Sequence, residues 1–253
     1  MDRMIFTALN GLGNLRDAQS VSAQNLSNQN VPGFRRDLVN AGPTKFLTEL
    51  NSLTGRAFQT DTESHRFSNA AGFMDQTGEM MDVAIEDDGY FYIETPGGTP
   101  ALSRRGDMRV DATGLLTDGA GNPMLDSAQA QIVIPPFQSM TIDDVGQIVI
   151  EPMGGAAGET EVVGVLATVK PDAGTTLQKS DDGHIRLPDG KVPAPNQGAR
   201  VVQGVLERSN VNTTEELIAS IELQRSFEVN LRLITAARDM DEAGASLMRM
   251  PEG

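Results

Sequence analysis

Residues 209–249 read SNVNTTEELIASIELQRSFEVNLRLITAARDMDEAGASLMR, with no proline until Pro251, and the fold turns on reading this stretch as one helix. Thr213 fits an N-cap, with Glu216 three residues later closing a capping box, and the acids sit at the positive end of the helix dipole. Apolar side chains recur at Leu217, Ile221, Phe227, Leu231 and Ile234, at spacings of three, four or their sum. Glu222, Arg225, Glu228 and Arg232 fall mostly on other faces. Past Ile234 the stripe moves round to Leu233, Ala237, Met240, Gly244 and Leu247, which implies more than one neighbour. At ~1.5 Å per residue the helix runs on the order of 50 Å, longer than a compact domain of this size usually holds. The expectation is a helix whose cover comes from other chains.

The other end of the chain reads as a second helix, from residue 2 to about 28. Ile5, Ala8, Leu9, Leu12 and Leu15 lie on one side, and Val21 and Leu26 follow more sparsely. Gly11 and Gly13 each cost about 1 kcal/mol against alanine, and residues 19–30 are rich in Ser, Asn and Gln, so this helix is marginal alone. Val31-Pro-Gly-Phe34 ends it, with Pro32 and Gly33 at the second and third places of a type II turn.

Between the two helices the texture changes twice. Residues 37–76 are polar with scattered Phe and Leu and no clean period, and read as an extended connector. From Thr77 short β-type runs follow, among them Val83-Ala-Ile85, Tyr90-Phe-Tyr-Ile93, Ile132-Val-Ile134, Ile148-Val-Ile150 and residues 162–169. They are separated by Asp88-Gly89, Asp118-Gly119, Gly146, Asp182-Gly183 and Asp189-Gly190. The expected fold is α + β and multidomain. Residues 1–36 and 204–253 supply long helices paired as a coiled coil, 37–76 a connector, and 77–203 a central all-β domain of short strands.

Composition narrows the function. A formal charge of −15 opposes binding to nucleic acid, whose phosphates demand a basic face, and to anionic membrane surfaces. No cysteine is present, which removes disulfides, thiolate metal sites and thiol nucleophiles. Apolar runs span only a few residues, so no membrane insertion is expected. The first twenty residues carry Asp2, Arg3, Arg16 and Asp17 without a long apolar block, which argues against a cleavable secretory signal.

No site chemistry stands out. His184, in Asp181-Asp-Gly-His184, has carboxylates near an imidazole, yet Asp-Gly also makes a hairpin turn. Glu86-Asp-Asp88 offers paired carboxylates for glycoside hydrolysis, but without a second acidic cluster the plainer reading is an acidic turn. Asp118-Gly-Ala-Gly-Asn122 lacks the alternating ligands and closing Glu of a calcium loop. Gly11-Leu-Gly13 follows no strand, and no Gly-x-Ser-x-Gly elbow occurs. No catalytic residue, metal, cofactor or small-molecule substrate is expected.

Three segments resemble the axial proteins of the bacterial flagellum, the rod and hook subunits. Ser22-Ala-Gln-Asn-Leu-Ser-Asn-Gln-Asn-Val-Pro-Gly-Phe34-Arg35-Arg36 is similar to the N-terminal signature. Thr77-Gly-Glu-Met-Met-Asp82-Val-Ala-Ile-Glu-Asp-Asp-Gly89-Tyr-Phe91, with Ser103-Arg-Arg-Gly106 and Asp111-Ala-Thr-Gly-Leu-Leu116, resembles the β-domain signature. Gly204-Val-Leu-Glu-Arg-Ser-Asn210-Val-Asn212 and Gln224-Arg-Ser-Phe227-Glu-Val-Asn230 resemble the C-terminal one. The length, the start Met-Asp-Arg-Met-Ile-Phe and residues 177–187 look most like the proximal-rod members, with distal-rod or hook-type subunits as the near alternative.

The resemblance implies a non-enzymatic subunit of a torque-transmitting hollow axle, exported by the flagellar type III apparatus into the periplasmic basal body. It implies as partners copies of itself, other rod proteins, the membrane-ring base and the export apparatus. The expected assembly interface is Ile5, Leu9, Leu12, Leu15 and Leu26 at one end and Leu217, Ile221, Phe227, Leu231, Ile234, Met240 and Leu247 at the other. Pro32 and Gly33 form the structural turn. From a different class, a secreted β-domain ligand-binding module is the rival.

Overall fold

A computed structural model describes residues 2–39, 66–155, 158–180 and 182–248, leaving aside the side chains of 2–10, 241 and 245–248. The chain divides into two compact units. One takes Met1–Ser27, Val39–Glu63 and Asn212–Gly253, and the other Asn28–Leu38 and Ser64–Val211.

The second unit is an antiparallel β body. Its largest sheet is five-stranded and ordered β10 (Thr168–Val169), β3 (Tyr90–Glu94), β4 (Pro100–Ser103), β12 (Ile185–Arg186) and β11 (Gln178–Lys179). A three-stranded sheet joins β7 (Phe137–Ile142), β8 (Gln147–Pro152) and β9 (Glu161–Val165). Three pairs complete it: β2 (Val83–Ile85) with β13 (Val201–Gln203), β1 (Met74–Gln76) with β14 (Val205–Glu207), and β5 (Arg109–Val110) with β6 (Leu116–Thr117).

Strand β3 explains the layering. Side chains alternate faces along a strand, so Phe91 and Ile93 enter one core cluster while Tyr90 and Tyr92 enter another. An unbroken apolar run is what a strand covered on both faces requires. The first cluster brings Phe91 and Ile93 together with Met140, Ile142, Ile148 and Ile150 of the three-stranded sheet. The second collects Phe67, Leu102, Leu125, Val169 and Ile185.

The hairpins share one local rule. In Asp111-Ala-Thr-Gly-Leu115, Asp118-Gly-Ala-Gly-Asn122, Asp126-Ser-Ala-Gln-Ala130 and Asp143-Asp-Val-Gly-Gln147, the first carboxylate accepts hydrogen bonds from the N–H groups two and four residues on. The fourth residue holds positive φ at Gly114, Gly121, Gln129 and Gly146. That is the left-handed residue of a three-residue hairpin loop. Residues 132–134, expected as a strand, instead make one isolated bridge, Val133 with Leu115, with Ile132 and Ile134 buried and Val133 exposed.

The helical unit carries α1 (Asp2–Ser27) and α2 (Thr213–Met248). The expectation of long terminal helices paired as a coiled coil is overturned. Among the described residues fourteen strands stand against two helices, and α1 is the shorter helix. The stripe expected to form a seam is not one seam: Leu217, Ile221, Leu231 and Met240 are 46, 51, 44 and 53% exposed. Where α1 lies against α2, polar groups meet. Buried Ser22 donates through Oγ to Glu216 Oε2 at 2.9 Å, and Asn25 Nδ2 donates to Glu216 Oε1 at 3.3 Å. A coiled-coil seam needs apolar knobs at these places, and Ser, Asn and Glu supply none.

The N-cap also differs from the expectation. Asn212, not Thr213, caps α2, its Oδ1 accepting from the Thr214 N–H at 3.1 Å and the Glu215 N–H at 3.4 Å. Its Nδ2 donates to Glu215 Oε1 at 3.0 Å, which frees Glu216 to turn inward.

Candidate functional site

Two features stand out: a buried junction in the β body where the segments bordering both helices meet, and the exposed surface of α2.

The junction starts at the expected turn. The Phe34 N–H donates to the Val31 carbonyl at 3.3 Å, and Gly33 has φ of +66°. A Cβ on Gly33 would lie 2.3 Å from the carbonyl carbon and oxygen of Arg104, so glycine is required by space as well as by φ. The Gly33 N–H donates to the Glu207 carbonyl at 2.8 Å, joining the segment after α1 to the last residue of β14. Asn210 ties the same segments again: its N–H donates to the Phe34 carbonyl at 3.2 Å, and its Oδ1 accepts from the Arg36 N–H at 2.6 Å.

Beneath the turn lies a buried charge cluster. The Glu207 carboxylate accepts from Arg104 Nε at 2.7 Å and the Gly72 N–H at 2.8 Å, and lies 3.1 Å from Arg35 Nη1. Arg104 also donates to the carbonyls of Ile85 at 2.9 Å and Gly89 at 2.6 Å, and to that of Asp87. Its guanidinium stands 5.8 Å from the centre of the Tyr90 ring. Burial pushes the Arg35 pKa down; Glu207 opposes this and Arg104 adds to it. Burial raises the Tyr90 phenol, against the pull of Arg35 and Arg104. Nearby, Lys179 pairs with Asp37, donates to the Arg35 carbonyl at 2.7 Å and sits 4.0 Å from the Phe34 ring centre. Burial lowers its pKa, with Asp37 opposing. An open pocket of about 160 Å³ adjoins the cluster, lined in part by Pro32, Phe34, Leu102, Arg105, Lys179 and Ile185.

On α2, side chains advance about 100° per residue. Leu217, Ile221 and Leu231 therefore share one exposed sector. Ile218, Val229, Leu233 and Met240, 53, 60, 44 and 53% exposed, share a second, about 130° round the axis. Buried Glu216 and Ala237, with half-buried Leu223, Phe227, Asn230 and Ile234, occupy the third. Leu12, Leu15 and Leu26 on α1 are half-buried, as are Pro32 and Gly33. The side chains of Ile5, Leu9 and Leu247 lie outside the described residues.

The residues weighed for chemistry are engaged locally. Asp182 Oδ1 accepts from the His184 N–H at 3.0 Å, and its carboxylate pairs with Arg186. Asp87 accepts from the Gly89 N–H and pairs with Lys170, while Glu86 pairs with Arg200. Asp118 spends its carboxylate on its own turn. Among the described residues no group of three or more His, Asp or Glu could hold a metal ion, and no helix is long and apolar enough to cross a membrane.

Sequence reasoning assigned no role to Arg35, Arg104 or Glu207, or to Ile218 and Val229. A signal existed for Arg104 and Glu207: charges at or just past the end of apolar strands are either solvent-facing ends or buried partners. For the second α2 sector the signal was a helical wheel with two apolar arcs instead of one.

Comparisons with known proteins agree on a family. Residues 202–247 match the family described as flagellar basal body rod FlgEFG protein C-terminal, and residues 84–150 that described as flagellar hook protein FlgE/F/G D1 domain. The chain is 33% identical to the flagellar basal-body rod protein FlgF of Escherichia coli K12, over 99% of this chain and 100% of that one. It is 31% identical to FlgF of Salmonella typhimurium LT2 over the same shares. It is 28% identical to the rod protein FlgG of Bacillus subtilis 168, over 98 and 100% of the two chains.

Proposed function

The chain belongs to the flagellar basal-body rod protein family, and from that premise we propose how it serves as a subunit. It is a structural component of the basal-body rod and assembles with other rod components. In our reading it does so through its terminal helices, beside copies of itself and other rod proteins, between the membrane-ring base and the rest of the axle. It is delivered there by the flagellar export apparatus and transmits torque around a hollow path. It carries out no catalytic step.

The observation that carries this reading is the surface of α2, with two separate exposed apolar sectors besides the face turned towards α1. Each fully exposed side chain of this size forgoes about 1.5–3 kcal/mol of available burial. Two sectors fit two neighbours per helix, as repeating assembly requires. The interface comprises Leu217, Ile221 and Leu231 on one flank and Ile218, Val229, Leu233 and Met240 on the other. Leu12, Leu15, Leu26, Phe227 and Ile234 support it from the half-buried face.

The test is Leu231→Asp. It should abolish incorporation into isolated rods, and with it motility, while the purified chain melts unchanged. Full motility would sink the reading.

A further inference from the structure

We propose that Arg35 is a positioning residue, whose buried guanidinium holds the segment leaving α1 against the strand leading to α2 and stiffens that junction under load, although it contributes nothing to folding stability. The inference rests on the rod reading above.

The argument begins with charge balance. Glu207 is 1% exposed and supplies a single negative charge. Arg104 alone neutralises it, lying 2.7 Å away, and spends its remaining donors on the carbonyls of Ile85, Asp87 and Gly89. Arg35 is therefore a second cation on a carboxylate already matched. It is 3% exposed, and its Nε has no hydrogen-bond partner. Among the described residues no other charge cancels the surplus: Lys179 is matched by Asp37, and Asp88 is exposed. A surplus buried charge with an orphaned donor costs free energy, and replacing such a group by an apolar one of similar volume is often neutral or stabilising. Stability does not account for arginine at this place.

What arginine supplies is direction. Its Nη1 lies 3.1 Å from Glu207 Oε1 and donates to the Ala70 carbonyl, so one side chain spans three stretches of chain: 31–36, 70–72 and 207. Among the passages between the two units, residue 28 lies on the one from α1 and residue 211 on the one to α2. Force entering along those two passages acts to slide residue 35 past residue 207. The buried ion pair with Glu207, backed by the charge-assisted hydrogen bond to the Ala70 carbonyl, resists such sliding in a dry setting. Apolar contact is non-directional and yields.

The test replaces the native full-length chain in motile cells by Arg35→Met and, separately, Arg35→Lys. Arg35→Met removes the surplus cation and leaves the Arg104–Glu207 pair intact. The purified Arg35→Met chain should melt at or above the native temperature and enter isolated rods in native amount. Its cells should swim normally in dilute medium but several-fold more slowly in viscous medium. Arg35→Lys, which keeps the charge without the planar fork, should fall between. A lowered melting temperature with equal slowing in both media would show that Arg35 only stabilises the fold and would overturn the proposal. So would native swimming at both viscosities, or a stable chain missing from rods. Absence of the native chain from isolated rods would instead remove the rod reading.

Discussion

Phe91, Tyr92 and Ile148 in the β body are sealed from solvent by the chain's own residues, whereas Ile218, Val229 and Met240 on α2 are each more than half exposed. Both regions use ordinary apolar side chains. What separates them is the source of cover. The β body closes two cores on either side of β3, and α2 has one face turned towards α1 with two facing away from it. A subunit of a polymer gains from this division: one part persists as a folded object, and the other keeps unspent burial for its neighbours.

Substitutions that act on one part and spare the other sharpen the contrast, and they rank by their effect on the free chain. Phe91→Ala, in a site with no exposure, should cost about 3–5 kcal/mol in denaturant unfolding of the β body. Gly33→Ala forces a Cβ into the Arg104 backbone at positive φ and should cost about 1–3 kcal/mol by the same measurement. Asn212→Ala removes the cap of α2 and should cost about 1 kcal/mol of helix stability, read by circular dichroism as lost helix while the β body melts unchanged. Leu231→Asp should change the free chain by no more than about 0.5 kcal/mol, although under the proposed interface it should be absent from isolated rods. If Leu231→Asp destabilised the free chain as much as Phe91→Ala, the division between the two regions would fail.

The parts legible in the sequence were those written locally. The runs at 83–85 and 90–93 became β2 and β3 because a strand buried on both faces has to be apolar throughout. The Pro32-Gly33 turn followed from the φ each residue permits. The acidic turns were only half legible. Asp-Gly pairs drew attention, yet the operative rule is an Asp three residues before the left-handed position, which Asp126 to Gln129 obeys without any glycine. Strand β7, FQSMTI, is too mixed to announce itself, and its place depends on partners elsewhere in the chain.

Helix α2 shows how periodicity misleads. Spacings of three and four gathered Leu217, Phe227 and Leu231 into one stripe, but accumulated rotation places Phe227 on the inner face and the other two outside. The partner of Glu216 was equally hidden, because Ser22 lies 194 residues away. Arg35, Arg104 and Glu207 are likewise joined only by the fold.

The four aspartate-capped loops bear on the order in which this chain takes shape. Each needs only five consecutive residues to close, so each can form as soon as its own short segment is free. The contact between Ser22 and Glu216 must wait until almost the whole polypeptide has emerged, and closing so long a loop is slow and entropically unfavourable. The hairpins thus close from local sequence, and the contact between the two terminal helices forms last.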